Sequence, residues 1–200
     1  MTACFTEAEL DRAQQNGSLI HRGSSIAQPD VYRVQLDGCA LLVKDYAVRC
    51  SPVRLMARPI LRHEHSVIQS LAGIRGVPRT YGIYGKERLV MDYIEHCCTL
   101  PARRELGGDN LPPRRFFREL RALVTALHDK GVAHGDIRRR NILCDYHGHP
   151  WLVDFATAVR ESGKFPFLYR MLRNADTLSL LKIIDSYYPD LVSTEERVIL

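Results

Sequence analysis

Asp136, Asn141 and Asp154 are oxygen donors spaced so that one short hairpin would gather them. Asn141-Ile142-Leu143-Cys144 and Trp151-Leu152-Val153-Asp154-Phe155 are short apolar stretches, and Asp145 to Pro150 between them is turn material. That pattern predicts an antiparallel hairpin. With the turn centred between His147 and Gly148, Asn141 and Asp154 are mirror positions at its open end. His134-Gly135-Asp136 precedes Asn141 by one tight loop, which brings a second carboxylate to the same end. Hard oxygen donors of this kind suit Mg²⁺ held mostly by substrate phosphates.

Lys44 poses a second chemical question. It is one of only five lysines and sits at the end of the apolar run Cys39-Ala40-Leu41-Leu42-Val43. An ammonium buried without a partner is costly. Glu64 lies four residues after Ile60 and three and four before Val67 and Ile68, so it falls on the apolar stripe of a helix. A sheet lysine and an inward helix carboxylate can neutralise each other. The alternative is that each reaches solvent separately.

The elements that would position these residues follow from patterning. Ser18 to Arg22, Val31 to Leu36 and Cys39 to Tyr46 read as strands, with Asp37-Gly38 as a hairpin turn between the last two. Ser51-Pro52 offers a helix start, Pro59 is expected to break that helix, and Ile60, Val67, Ile68 and Leu71 mark a second one ended by Gly73 to Pro78. Tyr81 to Tyr84 and Arg88 to Tyr93 are strands around Gly85-Lys86. Pro101 to Pro113 is rich in Pro, Gly and Arg and reads as a linker. Phe116, Leu120, Leu123, Val124 and Leu127 trace an amphipathic helix stopped at Lys130-Gly131. Asp176 is expected to start a helix carrying Leu178, Leu181 and Ile184, and Ser193 with Glu196 has capping-box spacing for another.

Composition bounds the rest. Of 200 residues, 46% are hydrophobic and 26% charged, enough for a packed core and unlike a disordered chain. No run approaches the roughly 18 apolar residues of a membrane helix. Met1 to Ser18 lacks the pattern of a secretory signal, so the expected location is cytoplasmic. The net charge is +5, and 23 of the 28 basic residues are arginine. Pairs such as Arg103-Arg104 and Arg114-Arg115 either lie on solvated faces or meet an anionic partner, such as the inner face of a membrane. No zinc-finger spacing, RNP-like strand or basic helix with a heptad is present, so nucleic acid is not an expected partner. The six cysteines form no C-x-x-C pair and are expected to be free thiols. His63/His65 and His147/His149 lack the companion ligands of a structural zinc site.

Together the residues resemble the protein-kinase-like superfamily over about residues 18 to 160. His134-Gly135-Asp136-Ile137-Arg138-Arg139-Arg140-Asn141 is similar to the catalytic loop H-x-D-x-x-x-x-N, and Asp154-Phe155-Ala156 to the D-F-G metal motif. Val43-Lys44 is similar to the third-strand lysine, Glu64 to its helix partner, and Leu89 to Ile94 to the hinge. The resemblance implies an α+β fold of two lobes: a five-stranded antiparallel N-lobe sheet with one main helix over about 1–94, a hinge and linker over 92–113, and a short, mostly helical C-lobe over 95–200, all in one domain. It implies that ATP and Mg²⁺ are bound in one cleft. Lys44 would hold the α/β-phosphates with Glu64 fixing it, Gly23, Ser24 and Ser25 would cover the phosphates, and Met91, Asp92 and Ile94 would face adenine. Asn141 and Asp154 would bind the metal, Asp136 would accept the acceptor's proton, and Arg138 would place positive charge near the transferred phosphate.

The chain departs from that pattern in four places. Arg22 to Pro29 has one glycine where G-x-G-x-x-G has three. Ala156 replaces the glycine after Asp154-Phe155, which makes a backbone flip there harder. Gly135 stands where an arginine commonly precedes the catalytic Asp, so control by a phosphorylated activation loop is not expected. No A-P-E follows, and the stretch after Phe155 is brief. These features are more similar to bacterial lipopolysaccharide core sugar kinases and to compact RIO-type kinases. The expected activity is phosphorylation of a hydroxyl, with a glycolipid core sugar slightly favoured over the alternative, a minimal Ser/Thr protein kinase or regulatory ATPase of RIO-like type. A nucleotide-binding scaffold without catalysis is the third reading.

Overall fold

Alternation along Asp30–Leu36 (β2) and Cys39–Asp45 (β3) sets up the first of two units into which the chain divides, Met1–Gln69 with Pro78–Glu95. The second unit is Ser70–Val77 with His96–Leu200. The computed structural model describes residues 5–25, 28–106, 111–162 and 166–200. Cys4, Ile26 and Ala27 of the expected phosphate loop, and Gly107 to Asn110 of the expected linker, lie outside the described residues.

In the first unit, β1 (Ser18–His21), β2, β3, β4 (Thr80–Tyr84) and β5 (Arg88–Asp92) form one antiparallel sheet in the order β1-β2-β3-β5-β4. Asp37 and Gly38 turn β2 into β3 with φ of 49° and 76°, the left-handed pair a two-residue hairpin requires. Val34, Leu41, Val43 and Val90 point to one face and form a buried cluster with Phe5 and Leu10. Leu10 belongs to α1 (Glu7–Gln15), a helix that hydrophobic patterning alone did not announce. Its signal is the capping box Thr6-x-x-Glu9, in which Thr6 Oγ1 accepts from the Glu9 N–H while Glu9 Oε2 accepts from the Thr6 N–H at 2.8 Å. Polar ties fasten α1 to the sheet: Glu7 accepts from the Gly85 N–H at 2.7 Å, Gln14 donates to Asp45 at 2.6 Å, and Asp11 pairs with Arg88.

Alternation places Lys44 on the opposite face of β3 from Val43 and Asp45. α2 supplies the carboxylate for it and runs unbroken over Ser51–Ser70, correcting the expected break at Pro59. The proline sits on the exposed side of the helix, where water satisfies the carbonyl its missing N–H leaves open. The buried stripe is Ala57, Leu61, Glu64, Val67 and Ile68, so Leu61 takes the place expected for Ile60, which is exposed.

The second unit is built on α3 (Arg114–Asp129), whose Phe116, Phe117, Leu120, Leu123, Val124 and Leu127 are buried, and on α4 (Pro166–Tyr187). Phe117 stacks on Tyr187 with ring centroids 4.9 Å apart, and the Tyr169 hydroxyl donates to the His128 carbonyl at 3.1 Å. Gly131 ends α3 with a φ of 67°. Short strands complete the unit: β6 (Cys98–Thr99), β8 (Ile142–Cys144) and β9 (Pro150–Leu152) make one sheet, and β7 (Val132–Ala133) pairs with β10 (Val159–Arg160). Asp176 does not start a helix but lies inside α4, its carboxylate drawn inward by partners on another segment. Ser193 and Glu196 do form the expected capping box, on α5 (Thr194–Arg197).

Candidate active site

In the first unit, Lys44 Nζ lies 2.7 Å from Glu64 Oε1. Glu64 is 1% exposed, so the pair sits in a poorly hydrated setting where neither charge is tolerated alone. Met91 is buried in β5 opposite Leu42 and Thr80. The Asp92 carboxylate is held by the Arg79 N–H at 2.9 Å, Arg79 Nε at 3.1 Å and the Tyr81 hydroxyl at 2.7 Å. Burial, with the Asp92 carboxylate beside it, pushes the Tyr81 hydroxyl up to about 12. Ile94 follows, half-buried, beyond Tyr93, whose N–H donates to the Ala40 carbonyl.

Gly23, Ser24 and Ser25 lie after β1, and the first two are engaged locally. The Gly23 N–H donates to Asp30 at 3.0 Å, and the Ser24 N–H and hydroxyl donate to Gln28 at 3.0 and 2.7 Å. Arg49 pairs with the same Asp30 and donates to the Gln28 carbonyl. A Cβ on residue 23 would lie 2.5 Å from that carbonyl oxygen, so this single glycine is needed for close packing of the loop upon itself. The Asp30–Arg49 tie was not legible in sequence, because both residues read as ordinary surface charges.

In the second unit, the loop after β7 is suspended from α4. Asp176, 1% exposed, accepts from the His134 N–H at 2.6 Å and the Gly135 N–H at 2.9 Å, and lies 3.2 Å from His128 Nε2. Its signal in the sequence is an acid at a core position between Tyr169 and Leu180, the same kind of signal that picked out Glu64. Gly135 has a φ of 76°, and a Cβ there would stand 2.9 Å from the Thr157 carbonyl oxygen, so no larger residue fits. His134 is fully buried, its ring 4.8 Å from that of Phe155. Its Nδ1 accepts from the Asp136 N–H at 3.3 Å and its Nε2 lies 3.2 Å from the Val153 carbonyl oxygen. Those partners place the ring proton on Nε2.

Asp136 is gripped from two sides. Asn141 Nδ2 donates to Asp136 Oδ2 at 2.8 Å and to its carbonyl at 2.9 Å, while Arg138 pairs with Oδ1. The Asn141 amide oxygen therefore turns away from Asp136. The hairpin differs from expectation by one residue: Ile142 faces Leu152, Cys144 faces Pro150, and the Val153 N–H donates to the Asn141 carbonyl at 3.0 Å. Asn141 thus faces Val153, and Asp154 lies one residue beyond. The cause is Asp145, whose Oδ1 accepts from the His147 and His149 N–H groups at 2.9 Å each and whose Oδ2 accepts from the Trp151 indole at 3.0 Å. These bonds tighten the turn and centre it on His147. Asp154 then adopts a left-handed φ of 69°, a conformation that Asp tolerates better than most non-glycine residues.

Asn141 and Asp154 offer hard oxygen ligands at the end of one hairpin, which fits Mg²⁺, an ion that takes one or two protein groups and completes its shell with phosphates and water. Among the described residues no cluster of three or more His, Cys, Asp or Glu is arranged to hold a metal by itself.

Parts of the chain are similar to known proteins. A stretch of 119 residues, 56% of the chain, is 30% identical to a 3-deoxy-D-manno-octulosonic acid kinase of Stenotrophomonas maltophilia, covering 45% of that protein. A stretch of 113 residues, 52% of the chain, is 32% identical to mitogen-activated protein kinase kinase kinase 20 of Arabidopsis thaliana, covering 33% of it. The chain thus spans less than half the length of these relatives. Residues 44–177, from the β3 lysine to just past Asp176, match the RIO domain, and the chain belongs to that protein-kinase-like family.

Proposed function

We propose that the protein is an ATP-dependent phosphotransferase that moves the γ-phosphate onto a hydroxyl of a glycolipid core sugar. The observation that carries this reading is the Asp136 carboxylate, fixed by Asn141 and Arg138 on a loop hung from buried Asp176. An acceptor hydroxyl within hydrogen-bond reach of Asp136 gives it its proton as the oxygen bonds to phosphorus, and the bond to the ADP oxygen breaks. Arg138, on the same carboxylate, stands ready to meet the charge of the migrating phosphoryl group. Lys44, steadied by Glu64, holds the α/β-phosphates. Asp154 and Asn141 would hold Mg²⁺, which supplies neutralisation of phosphate charge when bound. Met91, Asp92 and Ile94 face the adenine. Contact between phosphates and the Ser24 amide requires the Gln28 side chain to release it.

The sugar acceptor is supported by the relatives named as 3-deoxy-D-manno-octulosonic acid kinases, and by Gly135, whose confined site leaves no room for an arginine that would read a phosphorylated loop. Such an acceptor would place the enzyme peripherally at an anionic membrane face. No helix among the described residues is long and apolar enough to cross a membrane. A protein Ser/Thr acceptor is the second reading, supported by the likeness to MAP kinase kinase kinases.

The test is transfer from γ-labelled ATP in Mg²⁺ to a core oligosaccharide ending in 3-deoxy-D-manno-octulosonic acid, beside casein and histone. Label on the sugar is expected. Label on the proteins alone overturns the sugar assignment in favour of the second reading. No label anywhere, with stabilisation by ATP, overturns both and leaves a nucleotide-binding scaffold.

A further inference from the structure

Between Asp45 and Glu64 the chain carries four arginines, Arg49, Arg54, Arg58 and Arg62, and no acidic residue. Four large apolar side chains of the same stretch stand in solvent: Val48 at 58% exposure, Leu55 at 64%, Met56 at 71% and Ile60 at 43%. In the first half of α2 the spacing of Leu55, Met56, Pro59 and Ile60 gathers them away from buried Ala57, Leu61 and Glu64, and the face ends before Val67, which is buried seven residues past Ile60. The stretch therefore carries a second apolar face where a soluble helix would be polar.

The charges around that face differ in what they already hold. Arg49 and Arg58 are committed to Asp30 and Glu87. Arg62 is exposed and Arg54 is half-buried with its guanidinium against the Ser51 hydroxyl. Neither has a carboxylate partner among the described residues. An apolar helix face bordered by uncompensated arginine suits the boundary between headgroups and acyl chains. A protein partner would have to bring both the apolar surface and the anions, whereas an anionic bilayer supplies both at once.

We propose that the first half of α2, with Val48 before it, is a docking face for an anionic phospholipid bilayer, with Leu55, Met56 and Ile60 set below the headgroups and Arg62, at the edge of that face, on the phosphates. Its purpose, bringing the enzyme to a membrane-borne acceptor, rests on the proposed function; the binding itself does not.

The experiment is co-sedimentation of the full chain, without nucleotide or acceptor, with vesicles of phosphatidylcholine alone or mixed in equal parts with phosphatidylglycerol. Binding to the mixed vesicles only, weakened by salt, is the expected result. L55E/M56E should reduce the bound fraction by about tenfold or more, and Arg62→Ala by about fivefold, the worth of one arginine at such a surface. Both variants should keep the wild-type melting temperature, since the side chains are exposed. No binding, equal binding to neutral vesicles, or wild-type binding by L55E/M56E overturns the docking face. Transfer to a soluble core oligosaccharide by L55E/M56E, expected at the wild-type rate, separates that failure from failure of the phosphotransferase reading.

Discussion

Lys44 and Glu64 show how much a single residue type in an unsuitable place can disclose. A carboxylate on an apolar helix stripe and a lysine at the end of an apolar strand each cost energy alone, and the structure brings them to 2.7 Å. Because Glu64 is sealed from water and paired with Lys44, Glu64→Ala should cost about 3 kcal/mol of stability in a denaturant titration, the scale for breaking a buried ion pair. The double variant Lys44→Met/Glu64→Leu should be less destabilised than that single change, and greater destabilisation would show the pair to be merely well packed. Asp176 carries the same signal, but in sequence it points first to a helix start, because Asp before a run of apolar residues serves as a cap far more often than as a buried acceptor. Gly135 was legible as an oddity, and the Thr157 carbonyl supplies the reason for it.

At the scale of elements, the strands of the first sheet and α3 were legible because apolar runs with turn signals and helical periodicity mark them. α1 escaped because its apolar contribution is chiefly Leu10, and the capping box alone marked it. The hairpin register slipped by one residue because three hydrogen bonds to a turn carboxylate, Asp145, outweigh symmetry of sequence. Pro59 was misleading, since a proline on the wet side of a helix loses only a bond that water replaces. The link from α4 to the loop bearing Asp136 carries a prediction of its own. Asp176→Asn turns one of two anionic acceptors into a donor facing backbone N–H groups, so kcat should fall about 10- to 100-fold through misplacement of the loop. The KM for ATP should stay near the wild-type value, and steady-state kinetics will tell. A rise in KM with kcat intact would deny Asp176 its positioning role.

For the whole molecule, arginine richness and the division of motifs along the chain were legible, whereas the acid-side behaviour needed the structure. Glu9, with its Thr6 N–H and hydroxyl partners, and Asp190, beside Arg114, titrate below the usual carboxylate range. Burial pushes Asp145 and Glu196 up, but donors outweigh it: the Trp151 indole and turn N–H groups for Asp145, and the Ser193 N–H and Arg121 for Glu196. A carboxyl held lower in the folded than in the unfolded chain adds stability above its unfolded value, and that contribution vanishes as pH falls through the folded one. The melting temperature should therefore decline as pH drops below about 4, and Asp145→Asn/Glu196→Gln should flatten the decline. An equal decline in the double variant would assign it to other groups.

The most direct test of the central claim compares wild type with Asp136→Asn in single-turnover phosphotransfer alongside nucleotide binding. Loss of a positioned base predicts transfer slower by about 100- to 10,000-fold with ATP affinity unchanged. Transfer at the wild-type rate by the asparagine variant would contradict the account.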